Sequence, residues 1–345
     1  MSATEAASSQ MLREAAEAPR RAALQRERNR AALSEAARHI RALDPPFAIT
    51  IARGSSDHAA SFAKYLFETR LGIPTVSQSP SLATLFGATS PRLEGALALT
   101  ISQSGRSPDL IETAAAARAA GATIVAMVND ETSPLAREAD ILLPLHAGEE
   151  RSVAATKSFV ASLVAVTDLV SGMRADEVLA RALDEIEPVL GKAWTCDWSA
   201  ALDPLSAIDR LLVLGRGCTL PIAGEAALKF KEVARIHAEA FSSAEVAHGP
   251  MALIGEGDPV FAFAPGDAAR DSFLERLGSL RERGAHVLSA GSADACALPA
   301  IRAFDPAVEA IAMILSFYRL VETLAHRRGL DPDRPPHLSK VTRTR

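Results

Sequence analysis

Ala96-Leu97-Ala98-Leu99-Thr100-Ile101-Ser102-Gln103-Ser104-Gly105-Arg106-Ser107-Pro108-Asp109 runs from an apolar stretch, through hydroxyls and one glycine, into a segment that opens like a helix. The apolar residues have the composition of a buried strand, and Pro108 and Asp109 suit a first helical turn. A strand that feeds a helix through a short Ser/Gly loop is the repeating unit of a parallel α/β sheet. At such a junction the backbone N–H groups and the positive end of the helix dipole face whatever the loop surrounds, and an anionic oxygen is the natural guest. The loop alone does not separate a phosphate cradle from an ordinary N-capped turn. No Gly-Lys-Ser/Thr follows, so it is not a Walker-type nucleotide loop, and no Gly-x-Gly-x-x-Gly follows a strand to suggest a dinucleotide site.

Outward from this loop, strand and helix patterns alternate. Phe47 to Ile51, a helix through Ala59 to Thr69, a strand near Pro74 to Ser77, Thr123 to Val128 and Ile141 to Leu143 give the rhythm of a parallel sheet covered on both faces. A helical stretch over roughly 155–195 follows, and then the pattern restarts. Leu211-Leu212-Val213-Leu214-Gly215-Arg216-Gly217-Cys218-Thr219 repeats the form of Ala48-Ile49-Thr50-Ile51-Ala52-Arg53-Gly54-Ser55-Ser56. Strands near Pro259 to Phe263 and Ala285 to Leu288 and a helix carrying Ile311, Ile314, Tyr318 and Val321 on one face complete the second copy. The expected organisation is a helical leader or helix pair over 1–43, a first α/β domain with connecting helices over 44–195, a second over 196–330, and an extended tail over 331–345.

The bulk numbers exclude several classes of function. With 345 residues, 48% hydrophobic and 23% charged, the chain has the composition of a soluble globular protein. Its net charge of −5, from 37 basic and 42 acidic residues, recruits neither nucleic acid nor a membrane surface. Cys196, Cys218 and Cys296 are odd in number and lack metal-ligand spacing, which suits a reducing cytoplasm. No histidine pair has metal-ligand spacing, residues 1–10 have no apolar signal core, and no run is long enough to span a bilayer.

Two other segments carry chemistry. In Gly224-Glu225-Ala226-Ala227-Leu228-Lys229-Phe230-Lys231-Glu232, residues Glu225, Lys229 and Glu232 share a helical face, either as a surface salt-bridge ladder or as a polar stripe on a packed helix. His248, just before Gly249-Pro250, sits on a turn that leaves its ring available for proton transfer.

Ser102-Gln103-Ser104-Gly105, Ala154-Ala155-Thr156-Lys157, Glu225 through Glu232, His237-Ala238-Glu239, Glu245 through Pro250 and Leu338-Ser339-Lys340-Val341-Thr342, in that order, resemble the sugar isomerase (SIS) family. The likeness is nearest to the isomerase half of glucosamine-6-phosphate synthase. It implies two tandem SIS domains and a phosphosugar site. Ser102, Gln103, Ser104 and Ser107 would surround the phosphate, with Ser56 close by. Glu232 would carry a proton between C1 and C2 of the open-chain sugar. His248, presented from a neighbouring subunit, would assist ring opening. Lys340, carried over the site by the tail, is the family's imine-forming lysine, and Glu225 and Lys229 would hold hydroxyls and set the charge around Glu232. A homodimer with a composite site, a hexosamine phosphate as substrate and no cofactor or metal are implied.

The glutaminase domain that supplies ammonia in the synthase has no counterpart in this sequence. The expected activity is therefore that of a stand-alone glucosamine-6-phosphate deaminase, giving fructose 6-phosphate and ammonia. A fructosamine-phosphate deglycase and a non-catalytic phosphosugar sensor are the alternatives. Departures from the family pattern are Arg106-Ser107 in place of Glu-Thr, Ala155 in place of serine, Ser339 in place of alanine, and the ending Arg343-Thr344-Arg345. Arg106 either adds a cation near the phosphate or points to solvent.

Overall fold

Strand β1 (Ala48–Ile51), fully buried and rich in β-branched residues, takes a central place in the computed structural model, which describes residues 8–88 and 92–340. Helices α1 (Gln10–Ala16) and α2 (Ala18–Leu43) precede it, separated at Glu17 and restarted by Pro19 in the first turn of α2. After β1 come α3 (Ser55–Leu66), β2 (Thr75–Ser77), α4 (Pro80–Thr84), β3 (Leu97–Ser102), α5 (Pro108–Ala119), β4 (Thr123–Val128), α6 (Pro134–Glu138) and β5 (Ile141–Leu142). These strands form one all-parallel sheet in the order β2-β1-β3-β4-β5.

The expected helical stretch over 155–195 is three helices: α7 (Lys157–Arg174), α8 (Glu177–Asp184) and α9 (Ile186–Trp194). Ala175 turns left-handed (φ 56°) after α7, and Asp176 caps α8 through the Leu179 N–H. After α10 (Leu202–Ser206) the second sheet is built from β6 (Arg210–Gly215), α11 (Thr219–Ala234), β7 (His237–Ser242), β8 (Pro259–Phe263), α12 (Arg270–Glu282), β9 (His286–Gly291) and β10 (Leu298–Pro299), followed by α13 (Pro306–Arg327). Its order, β10-β9-β8-β6-β7, is again all parallel and places β6 where the first sheet places β1. Strand β7, which sequence reading left unassigned, is an edge strand. Its exposed His237 and Glu239 break up the apolar run that marks the inner strands.

Helices α7 and α13 are buried almost all round and join the two halves in one continuous core. Phe230 of α11, Phe261 of β8 and Phe317 of α13 meet edge to face, with ring centroids 5.0 to 5.9 Å apart. Among the described residues no helix is long and apolar enough to cross a membrane.

The leader and the tail hold each other. Asp333 accepts the Gln10 and Met11 N–H groups at 2.6 and 2.8 Å, closing the start of α1 from the far end of the chain. Ser9 Oγ donates to Glu322 of α13, and the buried Glu14 accepts the N–H groups of Arg151 and Ser152. Lys157, almost completely buried, reaches Glu17 between the two leader helices at 3.0 Å. Residues 331–340 run without helix or strand. Residues 1–7 and Val341 to Arg345, including the expected Val341-Thr342 end of the tail motif, lie outside the described residues.

Replacing Asp333 with Ala strips two N–H groups of their acceptor and a charge from the α1 N-terminus. The expected cost is about 1–2 kcal/mol in unfolding free energy. Chemical denaturation checks it, and an unchanged midpoint contradicts the clamp.

Candidate functional site

Because β1 and β3 are parallel neighbours, the loops that leave their C-terminal ends share one rim. Arg53, Gly54, Ser55 and Ser56 from the first loop and Ser102, Gln103, Ser104 and Ser107 from the second line a cavity of about 390 Å³. Val153, Ala155, Glu232 of α11 and Leu338, Ser339 and Lys340 of the tail complete it. The position, outside the carboxyl ends of a parallel sheet, is where open α/β folds take ligands.

The serine loop is held open from below. Gly105 has φ 61°, and a Cβ there would collide with Ser133, so glycine is required both by conformation and by space. Ser102 Oγ accepts from the Gly105 N–H at 3.1 Å and Ser104 Oγ from the Arg106 N–H at 3.3 Å. Two of the expected free amides are therefore already satisfied within the loop. Ser107 precedes α5 as its N-cap without using its side chain on the helix, which leaves that hydroxyl for the cavity.

Glu232 lines the same cavity, its side chain 20% exposed. Lys229 Nζ lies 2.6 Å from Glu232, 3.2 Å from Glu225 and 3.1 Å from Ser55 Oγ. Lys229 and Glu225 are fully buried, so this is no surface ladder. Neither lines the cavity, so the direct contact with sugar hydroxyls expected of them is out of reach. Lys229 instead contacts Glu232 and Ser55, and Glu225 contacts Lys229. Burial pushes the Glu225 carboxyl up to about 7; Lys229 opposes the rise and Glu232 adds to it. Tyr318 donates to Glu225 Oε1 at 3.2 Å. Burial alone would lower Lys229, but its two carboxylate neighbours outweigh that and raise it.

Lys340 reaches Glu150 at 3.0 Å. Glu150 is completely buried and also accepts the Thr156 and Ser158 N–H groups and the Ser158 hydroxyl, so it caps the start of α7. Burial pushes its carboxyl up, yet Lys340 and these hydrogen bonds outweigh it and hold the group below the usual range. Among the described residues no group of three His, Cys, Asp or Glu side chains is placed to hold a metal ion.

The chain thus brings Ser56, Ser102, Gln103, Ser104, Ser107, Glu232 and Lys340 to one cavity. It does not bring His248 there. That residue ends a short 3₁₀ turn (Glu245–His248), is exposed, and lines a separate cleft with Arg216, Ser243, Glu275 and Arg276. Arg106 points away from the serine loop's cavity and pairs with Asp130 at 2.7 Å. Two residues were missed by sequence reasoning. Glu150 had a weak signal, an acidic pair shortly before Ala154-Ala155-Thr156-Lys157. Arg53 stood in plain view in the repeated strand–Arg–Gly pattern but was read as architecture.

A model of the SIS domain matches residues 47–171 and 205–292. The chain belongs to the SIS family. It is 36% identical over 309 residues to the isomerizing glutamine–fructose-6-phosphate aminotransferase of Methanothermobacter thermautotrophicus, covering 84% of this chain and 50% of that protein. This SIS chain therefore spans about half the length of the curated relatives it matches. A crystal structure of a candidate phosphosugar isomerase from Silicibacter pomeroyi DSS-3 superposes with a TM-score of 0.90 at 40% identity, over 94% of this chain and 100% of that one. The C-terminal domain of glucosamine-fructose-6-phosphate aminotransferase from Francisella tularensis gives 0.81 at 27% identity, over 97% and 100%.

Glu225 binds its proton more tightly in the folded than in the unfolded protein. Its contribution to stability is therefore full below about pH 4.5 and falls as pH rises to about 7. The unfolding free energy of the wild type relative to Glu225→Gln should fall across this window, by at most about 1.4 kcal/mol per pH unit, and level off above it. Denaturation series at several pH values check this, and a difference that rises with pH contradicts it.

Proposed function

We propose that this chain is an amino-sugar-phosphate isomerase and deaminase that converts glucosamine 6-phosphate to fructose 6-phosphate and ammonia. The observation that supports the reading is that Glu232 and the serines and glutamine of the Ser102–Ser107 loop line one cavity. With the phosphate in the serine loop, the far end of an open-chain hexose, C1 and C2, lies toward Glu232. Its carboxylate removes the proton from C2 of the aldose and returns it to C1, and positioning the base beside both carbons is what makes the transfer efficient. The amine already on C2 becomes the imine of the ketose. Water adds to that imine, ammonia leaves, and the atoms balance as glucosamine 6-phosphate plus water giving fructose 6-phosphate plus ammonia.

In this sequence the imine nitrogen is the substrate's own, and Lys340, paired with Glu150, serves as a cation over the site. Lys229 and Glu225 are positioning residues that fix the Glu232 carboxylate. His248 assists ring opening from a second copy of the chain, a role its exposed turn favours, and the active unit is a homodimer.

Glucosamine 6-phosphate should yield fructose 6-phosphate and ammonia in equal amounts. Glu232→Gln should lower kcat by roughly 10²- to 10⁴-fold while leaving binding nearly unchanged. A coupled ammonia-release assay across hexosamine and fructosamine phosphates checks this. Release of an amino acid moves the assignment to a deglycase, and binding without any product moves it to a sensor.

The composite site has its own test. Glu232→Gln and His248→Ala, each inactive alone, should regain activity when co-expressed, because one site of the mixed dimer then has both groups intact. Failure to regain activity in a purified mixed dimer rules out sharing of the site.

A further inference from the structure

We propose that Arg53 is the cation that binds the substrate phosphate, and that Asp109 positions it. This deepens the phosphosugar reading above and rests on it. A phosphate ester carries nearly two negative charges at neutral pH, and the serine loop supplies only dipoles, two of whose amides are already taken by its own hydroxyls. Among the described residues, the cationic side chains lining the cavity are Arg53 and Lys340. Lys340 is committed to Glu150 at the tail side. Arg106, the cation inside the loop sequence, is turned away to Asp130.

Arg53 remains, and its surroundings aim it. It follows β1, next to the β3 end from which the serine loop leaves. Its Nε lies 3.1 Å from Asp109 Oδ2, a fully buried carboxylate in the first turn of α5, two residues beyond Ser107. This contact ties Arg53 to the helix end that forms the cradle. It uses Nε on a side chain that is 49% exposed, with the Asp57 carboxylate as a second charge in its field. A guanidinium held by one edge presents the other in the fork geometry that matches phosphate oxygens. The competing account is that Arg53 only neutralises Asp109.

Calorimetric titration with fructose 6-phosphate and with inorganic phosphate separates the two accounts. Arg53→Ala and Arg53→Gln should weaken both ligands roughly 10- to 100-fold, and Arg53→Lys should recover part of the loss. The double variant Arg53→Ala/Asp109→Asn, in which the buried Asp109 charge is gone, should stay as weak as Arg53→Ala. Affinity restored in the double variant, or Arg53→Gln within twofold of the wild type while Ser102→Ala weakens binding, overturns the proposal. A wild type that binds neither ligand overturns the phosphosugar reading itself.

Discussion

The Lys229 ammonium is the constraint on which the rest of the structure depends. A charge in a dry interior is tolerable only when its partners are in place, and removing one partner of such a group costs about 3–5 kcal/mol. Two of those partners, Glu225 and Glu232, are on its own helix, but the third contact, Ser55, belongs to the first half of the chain. Satisfying Lys229 therefore draws α11 against α3. The approach is close: a Cβ at Gly224 would stand 2.7 Å from His58 Nδ1. Burial, with Lys229 and Lys231 nearby, lowers His58 to about 4, so that ring is neutral at physiological pH and adds no charge to the contact. The same contact delivers Glu232 of the second half to the rim built by the first.

The two sheets share one plan but carry different loops at the corresponding rim. Both central strands end in Arg-Gly, Arg53-Gly54 and Arg216-Gly217, and β8 occupies in its sheet the place of β3. The loop after β3 carries Ser102, Gln103, Ser104 and Ser107. The loop after β8 reads Ala264-Pro265-Gly266-Asp267-Ala268-Ala269, with no hydroxyl and with one carboxylate, Asp267. The second sheet contributes Glu232 of α11 to the first sheet's site.

What could be read from the sequence follows physical range. Strands β3, β4 and β6 were legible because a strand buried on both faces is a continuous apolar run. The serine loop was legible because its chemistry is local. Strand β7 was not, since a half-exposed edge strand mixes His237 and Glu239 with alanines, and the breaks within 155–195 turn on one left-handed residue, Ala175, that carries no glycine signal. Glu150 was missed because its importance lies in a contact with Lys340, 190 residues away in sequence. Glu225 and Lys229 were legible as a set but not in their burial, which is decided by α3 and α13.

The tail shows how such long-range contacts bear on the chemistry. An amine attacks a carbonyl only when its lone pair is free, and Lys340 Nζ is engaged with Glu150 at 3.0 Å. Glu150 cannot easily surrender its charge, because it caps α7 with two backbone amides and its carboxyl is held low despite complete burial. Asp333, held by the first N–H groups of α1, fixes the beginning of the tail, and Glu14 of that helix fixes the backbone just after Glu150. Leader, tail and the residue 150 loop thus close a ring whose last link is Lys340. A lysine so tethered is suited to placing positive charge over the cavity. A reaction whose imine nitrogen arrives with the substrate asks no more of it than that.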